Sequence, residues 1–277
     1  MKLIDFRARP PTTEYLRALE LPLTQSVMRK LGTTAPASRT LAEWIIELDD
    51  QGVEKVVFAG RQSANTGSND VTNEYVSEAA HRYPGRIVGL AGINPSGGMS
   101  SVREVGRAIN ELKLSGIALD PFGGSMAPND RRLYPIYSKC AELEVPVVVT
   151  TGPLPFAGAR LAHGSVVTLD DVACDFPELT IVVDHTGWPW VNEAIALAFR
   201  HENVYIDTSF YMHLPGCEQF AHAANSIIPD KLIFASGYPV VPIAKAYADL
   251  SALPFTPEAL EAVRYGNAKR LLNKFGC

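Results

Sequence analysis

Cysteine is scarce in this 277-residue chain: Cys140, Cys174, Cys217 and Cys277 stand far apart, with no CxxC pair. The spacing carries no zinc-site signature and reads as four reduced thiols. Basic charge is not in excess either. There are 25 Lys and Arg against 30 Asp and Glu, a formal charge of -5, and no basic stripe. Nucleic acid is therefore not an expected partner. No apolar run approaches the roughly 20 residues of a membrane helix, so a membrane is not expected either. The N-terminus enters an apolar run at Leu3 without the pattern of a signal peptide, which points to a cytoplasmic protein. Finally, no GxGxxG follows the first apolar run, which argues against an open dinucleotide-binding sheet.

What is present is a long alternation of short apolar runs and amphipathic segments in a chain that is 47% hydrophobic and 20% charged. Eight runs read as strands buried on both faces: Lys2–Phe6, Val53–Ala59, Arg86–Gly92, Gly116–Leu119, Pro146–Thr150, Thr180–Asp184, Val204–Asp207 and Lys231–Ala235. Helices are expected at Ser38–Gln51, with Ser38 as N-cap, and at Asp70–Tyr83, Arg131–Glu144, Pro189–Arg200 and Pro215–Ile227. Eight strands separated by helices fit an α/β fold of the closed kind, a (β/α)8 TIM barrel, better than an open doubly wound sheet. With no linker or repeat, residues 1–277 read as one domain. Two connections are long. Pro10–Ala37 either covers the site as a lid loop or packs on the rim, and Pro153–Val167 follows the fifth strand.

Active sites of such barrels lie at the C-terminal ends of the strands. The residues there are Arg7 and Arg9, Arg61 and Ser63, Asn94, Asp120, Thr150 and Thr151, His185, Ser209 and Tyr211, and Ser236 and Tyr238. So many polar groups at one mouth make it the expected site. Arg7 and Arg9, two residues apart, should leave one face, with Asp5 a layer beneath them to orient one guanidinium. Trp188 and Trp190 are expected to brace the loop after the sixth strand, and Arg131 and Arg132 to lie on the surface.

Several segments, in order along nearly the whole chain, carry a family likeness: Leu3-Ile4-Asp5-Phe6, Pro146-Val147-Val148-Val149, Asp175-Phe176-Pro177, Val183-Asp184-His185-Thr186-Gly187, Leu232 through Pro239, and Gly266 through Leu271. The chain resembles the amidohydrolase-related family, in the branch with carboxylic-acid decarboxylases and metal-independent lactonases. The resemblance implies a His-x-His after the first strand, a His after the fifth and an Asp after the eighth, together holding a divalent metal. At those positions this chain has Arg7-Ala8-Arg9, Thr150 and Gly237, so no metal cofactor is expected.

With arginines where a cation would sit, the expected ligand is a small anion, a carboxylate foremost, bound by Arg7, Arg9 and Arg61 with Ser63, Thr150, Thr151, Tyr211, Ser236 and Tyr238 around it. The competing reading pairs the arginines with acids such as Asp120. His185 matches the family's acid/base histidine, and Asp120 is a second acid/base candidate. Tyr211 and Tyr238 are candidate donors to an oxyanion. Two functional classes follow. One is a metal-independent hydrolase or lyase, of the lactone-hydrolysis or decarboxylation type. The other is a non-catalytic ligand-binding protein or supporting subunit of a complex. Homo-oligomerisation is left open.

Overall fold

All eight apolar runs become parallel strands in a computed structural model that describes residues 2–62, 71–154 and 160–277. They are β1 (Leu3–Asp5), β2 (Val53–Ala59), β3 (Ile87–Ile93), β4 (Ile117–Leu119), β5 (Val147–Thr150), β6 (Ile181–Asp184), β7 (Val204–Asp207) and β8 (Leu232–Ile233). Each pairs with the next in sequence order. Closure from β8 to β1 uses backbone around the regular strands: Phe6 N donates to Phe234 O at 2.9 Å and Arg9 N to Tyr238 O at 3.0 Å. A parallel bridge links Ala8 to Tyr238. The result is a (β/α)8 barrel.

Alternation along the strands makes two cores. One face meets the surrounding helices, where Phe58, Ile117, Val149, Val183 and Ile206 join Trp44, Tyr137 and Phe220 in one buried cluster. The other face fills the barrel with Ile4, Val57, Val88, Ala118, Val148, Val182 and Ile233. A helix at Asn267–Lys274 contributes Leu271 and Leu272 to this interior cluster. Lys274 Nζ donates to Thr180 Oγ1 at 3.1 Å, just ahead of β6, and Asn267 Nδ2 to Leu232 O at 2.9 Å. That helix therefore closes the N-terminal end of the barrel, and the opposite end is left for a site.

Several boundaries differ from the sequence expectations. The connection 10–37 is not a bare loop but folds into α1 (Thr13–Arg17), a 3-10 turn (Ala18–Glu20) and α2 (Pro22–Lys30). Pro22 stands in the first turn of α2, where its missing N–H costs nothing, and Arg29 and Lys30 close the last turn, where cations suit the helix dipole. Helix α3 (Leu41–Asp50) is capped by Thr40 rather than Ser38. Thr40 Oγ1 accepts from Glu43 N at 3.3 Å while Glu43 Oε2 accepts from Thr40 N at 2.8 Å, a reciprocal box. Helix α4 (Asn73–Arg82) begins after Thr72, and the expected start at Asp70 lies outside the described residues. Helices at Met99–Asn110, Leu169–Asp175, Ile243–Ser251 and Pro257–Glu261 were not expected. Among the described residues no helix is long and apolar enough to cross a membrane.

Candidate active site

Polarity inside the barrel changes at one level. Ala118 on β4, Val148 on β5 and Val182 on β6 belong to the apolar interior, and Tyr205 on β7 packs against it. Two residues further along, at the same parity, come Asp120, Thr150, Asp184 and Asp207. A polar layer therefore lies on an apolar floor, and above it is a cavity of about 270 Å³. Arg7, Arg9, Arg61, Asp120, Thr150 and His185 line its polar part.

The arginines come from the β1 and β2 side. Arg7 Nη2 lies 2.8 Å from Asp184 Oδ2, and both side chains are buried. Arg7 Nε and Nη1 are buried and find no hydrogen-bond partner among the described residues. Arg9 Nε donates to Ala59 O at 2.9 Å, and its guanidinium stands 5.7 Å from the centre of the Tyr15 ring. Burial, then the neighbouring Arg7 charge, lowers Arg9 to about 10, so it stays protonated at neutral pH. Arg61 Nη2 is 4.0 Å from Asp120 Oδ2, and Asp120 Oδ1 accepts from Gly123 N at 2.9 Å. Burial raises the Asp120 carboxyl above its ordinary value, with Arg61 and Arg7 pulling it back.

Across the mouth, β6 and β7 carry a dense network. Burial alone would raise the Asp184 carboxyl; Arg7, with His185 and Arg9, overrides this and holds it well below the carboxylate range. Thr150 Oγ1 donates to Asp184 Oδ2 at 3.1 Å. Three donors converge on Asp207 Oδ1: His185 N at 3.0 Å, Ser209 N at 3.0 Å and Ser209 Oγ at 2.6 Å. Asp207 Oδ2 is buried and accepts from none. Burial and the adjacent Asp184 charge raise the Asp207 carboxyl well above its ordinary value.

That proton arrangement sets the histidine. Ser209 gives its one proton to Asp207 Oδ1 and lies farther, 3.2 Å, from Asp184 Oδ1. Its oxygen is then free to accept from His185 Nδ1 at 2.7 Å, and Asp184 Oδ1, an acceptor only, lies 3.1 Å from the same nitrogen. Nδ1 therefore carries the ring proton, and the Nε2 lone pair is left for the cavity. Burial, then the charges of Arg7, Arg9 and Arg61, push His185 down to about 3 against the pull of Asp184. The imidazole is neutral. Its backbone has φ of +66°, followed by Thr186 at +58°. Such left-handed residues cost roughly 1–3 kcal/mol each and persist only where surrounding bonds hold them, as the His185 N bonds do here.

The roof of the cavity is apolar and comes largely from the connection 10–37: Leu19, Leu21, Leu23 and Val27, with Tyr15 beside Arg9. Phe210 and Tyr211 from the loop after β7 complete the wall. Phe210 packs against His185 with ring centres 4.4 Å apart and planes tilted by 54°.

The structure brings Arg7, Arg9, Arg61, Asp120, Thr150, His185 and Tyr211 to one cavity. It does not bring the other expected residues there. Thr151 Oγ1 is turned to Asp184 O at 2.7 Å. Ser236 Oγ donates to Asp5 Oδ2 at 2.5 Å in the closing seam of the barrel. Tyr238 stacks on Trp44, with ring centres 6.3 Å apart, and its hydroxyl lies 3.3 Å from Glu47 Oε2, on the helix side of the wall. Ser63 lies outside the described residues. Asp5 does not orient a guanidinium: Oδ1 accepts from Arg7 N at 3.1 Å and Ser236 N at 2.9 Å, and Asp184 takes the guanidinium instead. Asp184, Asp207 and the role of Ser209 escaped the sequence reading, which looked past the strand ends. The signal was the inward parity of Val182 with Asp184, the same step that leads from Val148 to Thr150 and from Ala118 to Asp120.

Comparison with known proteins agrees with this architecture. Residues 48–274 match the family model described as Amidohydrolase. A 2-keto-4-carboxy-3-hexenedioate hydratase of Sphingobium sp. (strain NBRC 103272 / SYK-6) is 24% identical over 273 residues, covering 81% of this chain and 80% of the relative. The TIM-barrel protein Bb4693 of Bordetella bronchiseptica is 32% identical, with a TM-score of 0.86 over 100% of both chains. The 5-carboxyvanillate decarboxylase LigW of Sphingomonas paucimobilis, 19% identical, superposes with a TM-score of 0.69 over 98% of this chain and 99% of that one. The family model runs from the helix before β2 through the helix that seals the barrel floor, and on that match the chain belongs to the amidohydrolase family.

Proposed function

We propose that this chain is a metal-independent hydrolase or lyase that holds a small carboxylate with Arg7, Arg9 and Arg61 and moves a proton with His185. One observation carries the reading: three guanidinium groups line a cavity at the C-terminal end of the barrel, and two nitrogens of Arg7 have no acceptor among the described residues. A buried cation is stable only with compensating charge and filled hydrogen bonds, and a bound carboxylate supplies both. The hydratase relative is named for a keto-carboxylic acid, in keeping with such a ligand.

The residues at the family's metal positions do not fit a metal ion. Arginine has no lone pair to donate, and the neutral hydroxyl of Thr150 is a poor ligand for such a metal. Gly237 has φ of +77°, and a Cβ there would lie 2.8 Å from the Phe210 ring, so that position has room for no ligating side chain. Asp184, His185 and Asp207 do bring ligating atoms within 4.8 Å of one another. Asp184 already pairs with Arg7, and His185 Nδ1 and Asp207 Oδ1 already bond to Ser209 Oγ.

A neutral histidine with a bare Nε2 is a base, not an acid. That favours water chemistry over decarboxylation, in which a carbanion needs a proton. In lactone hydrolysis, Nε2 would take a proton from water as its oxygen bonds to the carbonyl carbon. The ring C–O bond would then break and the same proton return to the leaving oxygen. Arg61, partly exposed beside Asp120, stands where it can offset the developing negative charge. Asp120 remains the second proton carrier. The test is to supply lactones and unsaturated acids in H2-18O: water chemistry puts one labelled oxygen in the product, and carbon dioxide release without label would refute that preference for water over decarboxylation.

A further inference from the structure

Three metal-ligating side chains meet in the outer helical layer, away from the barrel mouth. Asp170 and Cys174 stand four residues apart on the helix Leu169–Asp175, so their side chains share one face. The buried residues Leu169, Val172 and Ala173 anchor that helix to the core. His201 ends the helix Val191–Arg200, three residues ahead of β7, and therefore sits toward the N-terminal end of the barrel. The Asp170 carboxylate, the Cys174 sulfur and an imidazole nitrogen of His201 lie within 4.8 Å of one another. No sequence spacing announces the set, because its members come from two helices on either side of β6.

The backbone around the set is tied. His201 N donates to Leu197 O at 3.0 Å and Val204 N to His201 O at 3.2 Å, which fixes the histidine between helix and strand. Asn203 Nδ2 donates to Phe176 O at 3.1 Å and to Leu179 O at 2.8 Å, locking this turn to the one that follows Cys174. The side chains are also already arranged around a positive charge. Arg200 Nη1 lies 2.6 Å from Asp170 Oδ2, and its Nη2 lies 3.7 Å from Cys174 Sγ. His201 Nε2 lies 2.7 Å from Asp170 Oδ1. The Arg200 side chain is 60% exposed, and an ion pair so exposed is weak. The guanidinium can therefore swing out and leave its place to a smaller, doubly charged ion.

We propose that Asp170, Cys174 and His201 form a zinc site that pins the two helices together, with water in the remaining position. Thiolate, imidazole and carboxylate are the ligand types zinc takes, and the sulfur and nitrogen donors disfavour magnesium and calcium. Tetrahedral zinc holds its ligand atoms roughly 3.3–3.7 Å apart, so Asp170 and His201 part slightly, by a turn of the part-exposed carboxylate. Binding releases the thiol proton of Cys174 to solvent and shifts the His201 ring proton from Nε2 to Nδ1, so affinity rises with pH. The site takes no part in the chemistry proposed for the mouth.

Equilibrium dialysis of the whole chain against zinc chloride, after chelator treatment, tests this. One equivalent should bind, and neither magnesium nor calcium should displace it. Cobalt in place of zinc should give the near-ultraviolet thiolate-to-cobalt charge-transfer band. Cys174 is exposed, so Cys174→Ser keeps the core. That variant should lose the cobalt band and bind zinc about tenfold or more weakly, since even the outer partners of a metal ligand matter on that scale. His201→Gln should weaken zinc to a similar degree. Arg200→Ala removes the competing guanidinium and should tighten it. Absence of stoichiometric zinc would overturn the proposal, as would a cobalt band that persists in Cys174→Ser. Zinc affinity unchanged in both ligand variants, or loosened by Arg200→Ala, would overturn it as well.

Discussion

The two sides of the barrel mouth are both charged and both buried, yet they are built in opposite ways. On the β6–β7 side, Asp184, His185, Asp207 and Ser209 use one another: donors converge on Asp207 Oδ1, and Asp184 takes Arg7 and Thr150. On the β1–β2 side, two nitrogens of the buried Arg7 have no acceptor among the described residues. A saturated network fixes protonation states and geometry; an unsaturated one has capacity for a ligand. On the proposed function, the mouth separates the work of holding a proton acceptor in place from the work of holding an anion.

The harshest way to break this division is to remove Asp184, which joins the sides through Arg7. Asp184→Ala leaves the buried Arg7 without its carboxylate and should destabilise the fold by about 3–5 kcal/mol in a denaturant melt. A loss under 1 kcal/mol would mean the ion pair is not the seam between the two halves. Next in size is catalysis. His185→Gln should lower turnover about 100-fold or more with anion binding retained, because the base lies on the side that does not hold the carboxylate. Loss of binding in that variant would merge the two functions.

Proton linkage sharpens the same contrast. The folded His185 stays neutral down to about 3, while an unfolded histidine titrates near 6.5. Between those values the unfolded chain binds the extra proton, so this group's contribution falls as pH falls below 6.5. From pH 7 to pH 5 the parent should lose about 2 kcal/mol relative to His185→Gln. A constant difference between the two proteins across that range would show that the imidazole titrates normally. The smallest effect is expected outside the wall. Tyr238→Phe removes a hydroxyl directed at Glu47, so ligand affinity should be unchanged within about twofold and stability lowered by about 1 kcal/mol or less.

The strands and the barrel were legible because β-branched runs alternate with helical segments over the whole chain. Arg7, Arg9, Arg61, Asp120 and His185 were legible because barrel sites sit after strand ends. Chain closure was not. Asp5 and Ser236 are 231 residues apart and meet only when β8 returns to β1, so Ser236 read as a site residue and is part of the seam. Tyr238 follows the seam as well, on the side that faces α3. The roof was legible as a long connection but not as helices, because Pro10, Pro11 and Pro22 look like loop residues until Pro22 is seen to start α2. Asp207 was hidden for another reason: its surroundings are set by Asp184 and Ser209, neighbours that no local pattern brings together.

Carboxylate binding to chelator-treated protein tests most directly whether arginines, rather than a metal ion, hold the ligand. Hexanoate titrated into protein dialysed against EDTA should bind saturably and with the same affinity as before dialysis. Arg9→Met should abolish the binding without unfolding the barrel, and Arg9→Lys should restore it only in part, since lysine keeps the charge and loses the planar fork. Binding that vanishes on chelation and returns with added zinc or manganese, or that survives in Arg9→Met, would contradict the arginine site.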